Sequence, residues 1–317
     1  MSSSQPLRGV VPPVCTPLDA SGEVDTASLT RHVERLVDAG VHGLFALGSS
    51  SEVAFLTDRQ RATALDTVVE TVAGRVPVLA GVIDTTTPRV REHALAARTA
   101  GADALVATAP FYARTHPAET ARHFRTLRAS VDLPLYAYDL PVSVHSKLSA
   151  TLVRELAEDG TLAGVKDSSG DERGLRRLLV ELGGRHGRAD GPAPSFAVLT
   201  GSELTVDAAL LAGADGVVPG LGNVDPAGYV RLYDAVRGGD LDGAVEEQER
   251  LVDLFGMVDA GPEAEMGRNS SALGAFKHAL RLLGVFEHGT TAASQIQLSE
   301  ASVARVERHL RDAGLLP

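Results

Sequence analysis

Leu162-Ala163-Gly164-Val165-Lys166-Asp167-Ser168-Ser169 begins as a short apolar run and ends its apolar part on a lysine. Upstream, Leu133-Pro134-Leu135-Tyr136-Ala137-Tyr138 is another such run, ending on a tyrosine. Between them, residues 149–158 carry a helical pattern, and Gly160 sits where a helix stops in the left-handed conformation. Strand, helix, strand is a βαβ unit, whose two strands pair in parallel through a right-handed crossover. The same unit recurs outward in both directions. Apolar, β-branched runs at 9–16, 41–47, 76–82, 104–109, 133–138, 162–166, 196–200 and 216–219 read as eight strands. Amphipathic helices are expected at 25–39, 57–73, 86–100, 117–130, 149–158, 171–182 and 203–212. In the first, Leu29, Val33, Leu36 and Val37 fall on one face; the second opens on Thr57-Asp58-Arg59-Gln60, a capping box.

Eight such units close into a (β/α)8 TIM barrel, an α/β fold. The alternative is an open doubly wound sheet. That fold usually carries Gly-x-Gly-x-x-Gly after its first strand, whereas this strand ends in Cys15-Thr16-Pro17. Beyond Pro219 the strand signal stops, and 225–237, 242–254, 271–283 and 299–313 read as helices. The expected organisation is a catalytic barrel over residues 1–238 with a C-terminal helical appendage over 239–317. Residues 183–194 break the composition with glycine and proline. They are expected to form a mobile, non-catalytic loop between a helix and a strand, on the face away from any active site.

Composition narrows the function. With 317 residues, 44% hydrophobic and 22% charged, the chain has the make-up of a globular protein with a large core. Its net charge of -11 argues against nucleic acid or an anionic membrane as partner. The single cysteine, Cys15, allows no internal disulfide and fits a reducing cytoplasm. Residues 1–6 have no apolar signal core, and no stretch is long enough to span a bilayer, so a cytoplasmic protein is expected.

In a barrel of this kind, chemistry gathers at the C-terminal ends of the strands. Strand two runs into Gly48-Ser49-Ser50-Ser51-Glu52, strand five into Tyr138-Asp139-Leu140-Pro141, and strand six into Lys166-Asp167. An amine where an apolar strand ends is partly desolvated, which favours its neutral, nucleophilic form. Such a lysine suits Schiff-base formation with a carbonyl substrate. Strands five and six are neighbours, so Tyr138 can meet Lys166 and offer a phenol for proton transfer. The serine turn supplies hydroxyls and N–H groups able to hold a carboxylate. The ten histidines show no metal-ligand spacing such as His-Glu-x-x-His, and no metal is expected.

Taken together, Gly48-Ser49-Ser50-Ser51-Glu52, Tyr138-Asp139-Leu140-Pro141 and Gly164-Val165-Lys166 resemble three motifs of the dihydrodipicolinate synthase / N-acetylneuraminate lyase family. Those motifs are Gly-x-x-Gly-Glu, Tyr-Asn-x-Pro and Gly-x-Lys. Thr16-Pro17 and Pro110-Phe111-Tyr112 also match, and the resemblance covers essentially the whole chain. It implies class I aldolase chemistry on pyruvate, with Lys166 forming the imine, Tyr138 moving protons, and no organic cofactor. It further implies that Ser49 and Ser50 hold the pyruvate carboxylate, with Ser49 in the proton relay. Tyr112 would reach a neighbouring subunit's site, making the protein a homodimer or homotetramer. Ser143, His145, Ser168 and Val218 are the expected substrate contacts beyond pyruvate.

Three departures from the family pattern bear on the substrate. Ser143, two residues after Pro141, stands where members that make dihydrodipicolinate precursors commonly carry Arg, so the guanidinium fork for a distal carboxylate is missing. Asp139 replaces the usual Asn. Ser51 replaces the second glycine and would strain the turn if that position needs positive φ. Lys166-Asp167-Ser168-Ser169-Gly170 is closer to 2-keto-3-deoxy sugar acid aldolases, so the expected reaction joins or splits pyruvate and a sugar-derived aldehyde. The alternatives are condensation of pyruvate with aspartate semialdehyde, a phosphate-binding barrel enzyme using Gly213-Ala214-Asp215-Gly216-Val217-Val218-Pro219-Gly220, and a non-catalytic oxo-acid sensor.

Overall fold

The computed structural model describes residues 7–187 and 190–317. Eight parallel strands form one sheet in the order β1-β8-β7-β6-β5-β4-β3-β2. They are β1 (Gly9–Val10), β2 (Leu44–Ala46), β3 (Val78–Gly81), β4 (Ala104–Thr108), β5 (Leu135–Asp139), β6 (Gly164–Asp167), β7 (Ala197–Thr200) and β8 (Gly216–Val217). The sheet closes where Pro13 bridges Phe45 in parallel. There the Phe45 N–H donates to the Pro12 carbonyl at 3.0 Å and the Val14 N–H to the Phe45 carbonyl at 2.9 Å.

All eight expected strands form, but β1 is far shorter than the run 9–16. Pro12 and Pro13 have no N–H to give the ladder, so regular pairing stops at Val10. Conversely, β5 and β6 run one residue beyond expectation, to Asp139 and Asp167. Two glycines allow close approaches. A Cβ on Gly216 would lie 2.1 Å from the Gly9 carbonyl oxygen, where β8 meets β1. One on Gly164 would lie 2.3 Å from the Tyr136 ring, which occupies that space.

The helices α1 (Thr26–Asp38), α2 (Asp58–Val72), α3 (Thr87–Ala100), α4 (Pro117–Ser130), α5 (Pro141–Val144), α6 (Ala150–Glu158), α7 (Glu172–Glu181), α8 (Gly184–Gly187) and α9 (Val206–Leu211) lie between the strands. Leu29, Val33 and Leu36 of α1 are buried, as their spacing predicts. The capping box of α2 is present, with the Thr57 N–H on Gln60 Oε1 at 3.0 Å and the Gln60 N–H on Thr57 Oγ1 at 3.3 Å. The segment 183–194 is not wholly irregular, because its start forms α8. Arg188 and Ala189, which belong to the expected mobile loop, lie outside the described residues, as do residues 1–6.

After β8, α10 (Pro226–Gly238) completes the barrel, and α11 (Leu241–Phe255), α12 (Arg268–Leu282) and α13 (Glu300–Asp312) follow. Phe276 and Leu280 of α12 and Val306 and Leu310 of α13 join the same buried cluster as the barrel. Burial of each contributes roughly 1.5–3 kcal/mol. The C-terminal helices are thereby packed onto the barrel itself.

Candidate active site

Parallel pairing sets Tyr138 of β5 directly beside Lys166 of β6. Both side chains are enclosed, at 3% and 6% exposure. Lys166 Nζ lies 4.1 Å from the centre of the Tyr138 ring and 5.0 Å from that of Phe45. The amine is thus bordered by two aromatic faces, which attract a cation while excluding water. Tyr138 Oη lies 3.3 Å from Ser49 Oγ. Burial pushes the Tyr138 phenol up, but the Lys166 charge and hydrogen bonding with Ser49, Lys166 and Ser168 outweigh it and hold the phenol below its ordinary value.

Ser49 comes from the turn after β2. Leu47 (φ 58°) and Glu52 (φ 59°) take its left-handed conformations; Ser51 does not. The strain expected at Ser51 is therefore absent. Its hydroxyl accepts from the Gly48 N–H at 3.1 Å and donates to the Val14 carbonyl at 2.5 Å, pinning the turn to strand one. Ser50 is half-buried in the same turn.

Glu52 is fully buried and pairs with Lys277 of α12, itself 0% exposed. The same carboxylate accepts from the Ala292 N–H at 2.7 Å and from Gln295 Nε2 at 2.5 Å. Cys15 lies within reach of this pair. Burial pushes its thiol up to about 12, with Lys277 pulling it down and Glu52 pushing it up. That keeps Cys15 an unreactive packing residue.

On the opposite side of β5 and β6, Asp139 pairs with Lys147, whose Nζ is also 3.9 Å from Asp167. The Leu148 N–H donates to Asp139 at 3.0 Å. Burial holds the Asp139 carboxyl above the usual range, with Lys147 pulling it back. An Asp in place of the usual Asn therefore comes with its own cation.

The ends of β6 and β7 open into a cleft of about 280 Å³, lined by Ser168, Thr200, Gly201, Ser202, Glu203 and Arg268 among others. Glu203 accepts from the Gly220 N–H at 2.5 Å, the Leu221 N–H at 3.2 Å and the Tyr229 hydroxyl at 2.5 Å. Burial raises its carboxyl, and these bonds together with Lys166 draw it back. The Gly220 amide, at the end of the glycine-rich segment 213–220, is thus already occupied by a carboxylate, as is that of Leu221.

The structure gathers Lys166, Tyr138, Ser49 and Ser168. Val218, just after β8 and two strands from β6, is buried, and its N–H donates to the Thr200 carbonyl at 2.8 Å. Ser143 on α5 and His145 at its left-handed end are exposed and make no hydrogen bond to these groups among the described residues. Tyr112 stands 97% exposed on the loop after β4, with φ 74°, next to a groove of about 750 Å³. Phe45, Lys147, Glu203 and Lys277 were not legible as site neighbours. Glu52 and Lys277 are far apart in the chain, and no local pattern links them.

Among the described residues no group of three or more His, Cys, Asp or Glu side chains could hold a metal, and no helix is long and apolar enough to cross a membrane.

Comparison with known proteins agrees with this geometry. The model of the dihydrodipicolinate synthetase family matches residues 6–292. An uncharacterized DapA-like lyase of Halobacterium salinarum is 36% identical over 310 residues, 98% of this chain and 95% of the relative. A 4-hydroxy-tetrahydrodipicolinate synthase of Methanoculleus marisnigri is 33% identical over 260 residues, 81% of this chain and 86% of the relative. The Escherichia coli protein YagE, provisionally named a 2-dehydro-3-deoxy-D-gluconate aldolase, is 32% identical over 255 residues, 80% of this chain and 82% of the relative. The crystal structure of YagE in complex with pyruvate superimposes with a TM-score of 0.88 at 29% identity, covering 98% of this chain and 99% of YagE.

Proposed function

The chain belongs to the dihydrodipicolinate synthetase family of lyases, and we propose that it is a class I aldolase in which Lys166 forms an imine with pyruvate or a pyruvate-like 2-oxo acid. The observation that carries this reading is the enclosed amine of Lys166, 4.1 Å from the Tyr138 ring, with Tyr138 Oη in turn 3.3 Å from Ser49 Oγ. Nζ attacks the C2 carbonyl, and the carbinolamine loses water to give the imine. Tyr138 passes the protons for these steps and for the aldol hydroxyl, with Ser49 as the next group in the relay. Ser49 and Ser50 hold the carboxylate. Loss of a C3 proton from the imine gives an enamine, which adds to an aldehyde; in reverse, the C–C bond breaks and the aldehyde leaves.

The aldehyde side is the cleft at the ends of β6 and β7, which meets the site at Ser168. Its Ser168, Thr200 and Ser202 offer hydroxyls that suit a hydroxylated chain. Ser143 supplies no guanidinium for a second carboxylate, which weighs against aspartate semialdehyde. A 2-keto-3-deoxy sugar acid is accordingly the favoured substrate class. The chemistry belongs to the barrel of residues 1–238, with 239–317 as its helical support. Tyr112, exposed in the single chain, serves the site of a second copy in a homodimer or homotetramer. The reaction needs no metal or organic cofactor, and the protein works in the cytoplasm without nucleic acid or membrane partners.

Borohydride trapping with pyruvate, followed by intact mass and peptide mapping, tests this reading. The chain holds only three lysines, Lys147, Lys166 and Lys277, so the adduct is readily assigned. A reduced pyruvyl adduct on Lys166 is expected. An adduct on another lysine, or none on folded protein, overturns it.

A further inference from the structure

We propose that the buried Glu52–Lys277 pair is a positioning device, through which the C-terminal helical region sets the geometry of the serine turn that receives the oxo-acid carboxylate. The inference rests on the reading of Ser49 and Ser50 as that receptor, and it assigns a functional part to residues outside the barrel.

Both members of the pair are sealed from water, each at 0% exposure. Two buried charges are costly unless matched, and an apolar pair would pack as well or better. Here the Lys277 amine meets Glu52 and donates to the Thr290 carbonyl at 2.9 Å. Burial pushes that amine down and Glu52 draws it back up. Lys277 is thus tied to a carboxylate, whereas Lys166 lies between the Phe45 and Tyr138 rings.

Glu52 itself connects both sides. Its backbone N–H donates to the Ser49 carbonyl at 3.0 Å, so its position is passed directly to the residue that meets Tyr138. It holds φ 59°, which a side-chain-bearing residue keeps only where its surroundings over-determine it. The surroundings that do so are Lys277 on α12 and the Ala292 N–H and Gln295 amide on the segment between α12 and α13. On the other flank, Ser51 ties the same turn to Val14. The turn is therefore anchored once to strand one and once to the C-terminal region. Releasing the second anchor lets Ser49 and Ser50 move while Lys166 and Tyr138 stay on their strands.

The test is the pyruvate dependence of borohydride trapping, measured on wild type, Lys277→Met, Gln295→Ala and the double variant Glu52→Gln/Lys277→Met. Lys277→Met should raise the half-saturating pyruvate concentration at least about 10-fold, with the adduct still on Lys166 at saturation. Gln295→Ala, which removes one neutral tie and strands no charge, should raise it about 3-fold. The double variant leaves no unpaired charge and keeps an acceptor for the Ala292 N–H, but it still lacks the Lys277 tie; its half-saturating concentration should stay at least about 3-fold above wild type, and a return to the wild-type value overturns the proposal. A pair that only stabilises the fold would lower Tm and leave half-saturation of the folded protein unchanged. That result overturns the proposal. If Lys277→Met does not fold, Gln295→Ala decides, and an unchanged half-saturation there overturns it equally. Absence of any adduct on wild type is a distinct result that refutes the imine reading and this role with it.

Discussion

Tyr138→Phe removes one oxygen from the centre of the site and leaves the ring. The ring keeps its place 4.1 Å from Lys166 Nζ and its edge contact with Phe45, 6.2 Å between centroids at 83°. What is lost is the hydroxyl, with its 3.3 Å contact with Ser49 and its hydrogen bonding with Lys166 and Ser168. That contact is long for a hydroxyl pair, so its net share of folding stability is about 0.5–1 kcal/mol. Its share of catalysis is larger, since a positioned acid–base group is worth roughly 10²- to 10⁴-fold in rate, or about 3–5 kcal/mol of barrier. The expected signature is a catalytic rate lowered by about 10²-fold or more in a protein whose Tm barely moves. The assay is pyruvate release from a 2-keto-3-deoxy sugar acid, coupled to NADH oxidation by lactate dehydrogenase, with thermal melts alongside. The pH profile adds a second readout. As pH rises the phenol loses its proton, and because Lys166 and Ser49 hold it below its ordinary value of 10.0, the wild-type rate should fall at an alkaline limb below that pH. The limb should vanish in the Phe variant. A variant within about threefold of wild type, with the limb intact, would refute Tyr138 as the proton carrier.

Lys166→Ala should abolish both turnover and pyruvate trapping in a folded protein; substantial residual activity counts against the imine. If Tyr112 serves a second copy's site, Tyr112→Phe should be slow alone. Mixing its subunits with Lys166→Ala subunits should then recover activity, because each hybrid pair rebuilds one intact site, and no recovery would keep Tyr112 out of the partner's site. Acid should destabilise the fold through two enclosed histidines. Burial pushes His32 down to about 3 and His123 down to about 4, from 6.5. Both stay neutral in the folded state while the unfolded chain takes up protons near 6.5, so their contribution is complete above that pH and is lost as pH falls towards 3. At pH 5 the loss is about 2 kcal/mol for each. Urea unfolding at pH 7 and pH 5 measures it, and equal stabilities would contradict the burial of these rings.

Much of the fold was legible because it is written locally. Strand and helix periods depend on residues two to four positions apart, and Leu29, Val33 and Leu36 meet the core as their spacing requires. Alternating strands and helices then allow few topologies, and parallel pairing of β5 and β6 sets Tyr138 beside Lys166. β1 is shorter than the apolar run 9–16 because Pro12 and Pro13, inside that run, lack a ladder donor. Whether Ser51 needs positive φ is not legible in the sequence, as only the folded turn decides which residues take it, and here these are Leu47 and Glu52.

The sequence by itself determined the alternation of elements, the barrel, and the lysine and tyrosine at adjacent strand ends. Tertiary structure alone decided which charges meet: Glu52 with Lys277, Asp139 with Lys147, and Glu203 with the amides of Gly220 and Leu221. It also decided that Ser143, His145 and Tyr112 face solvent in the single chain. The physical reason is range. Periodicity is a short-range property of the chain, whereas desolvation and ion pairing depend on what barrel closure and helix packing bring together from distant segments.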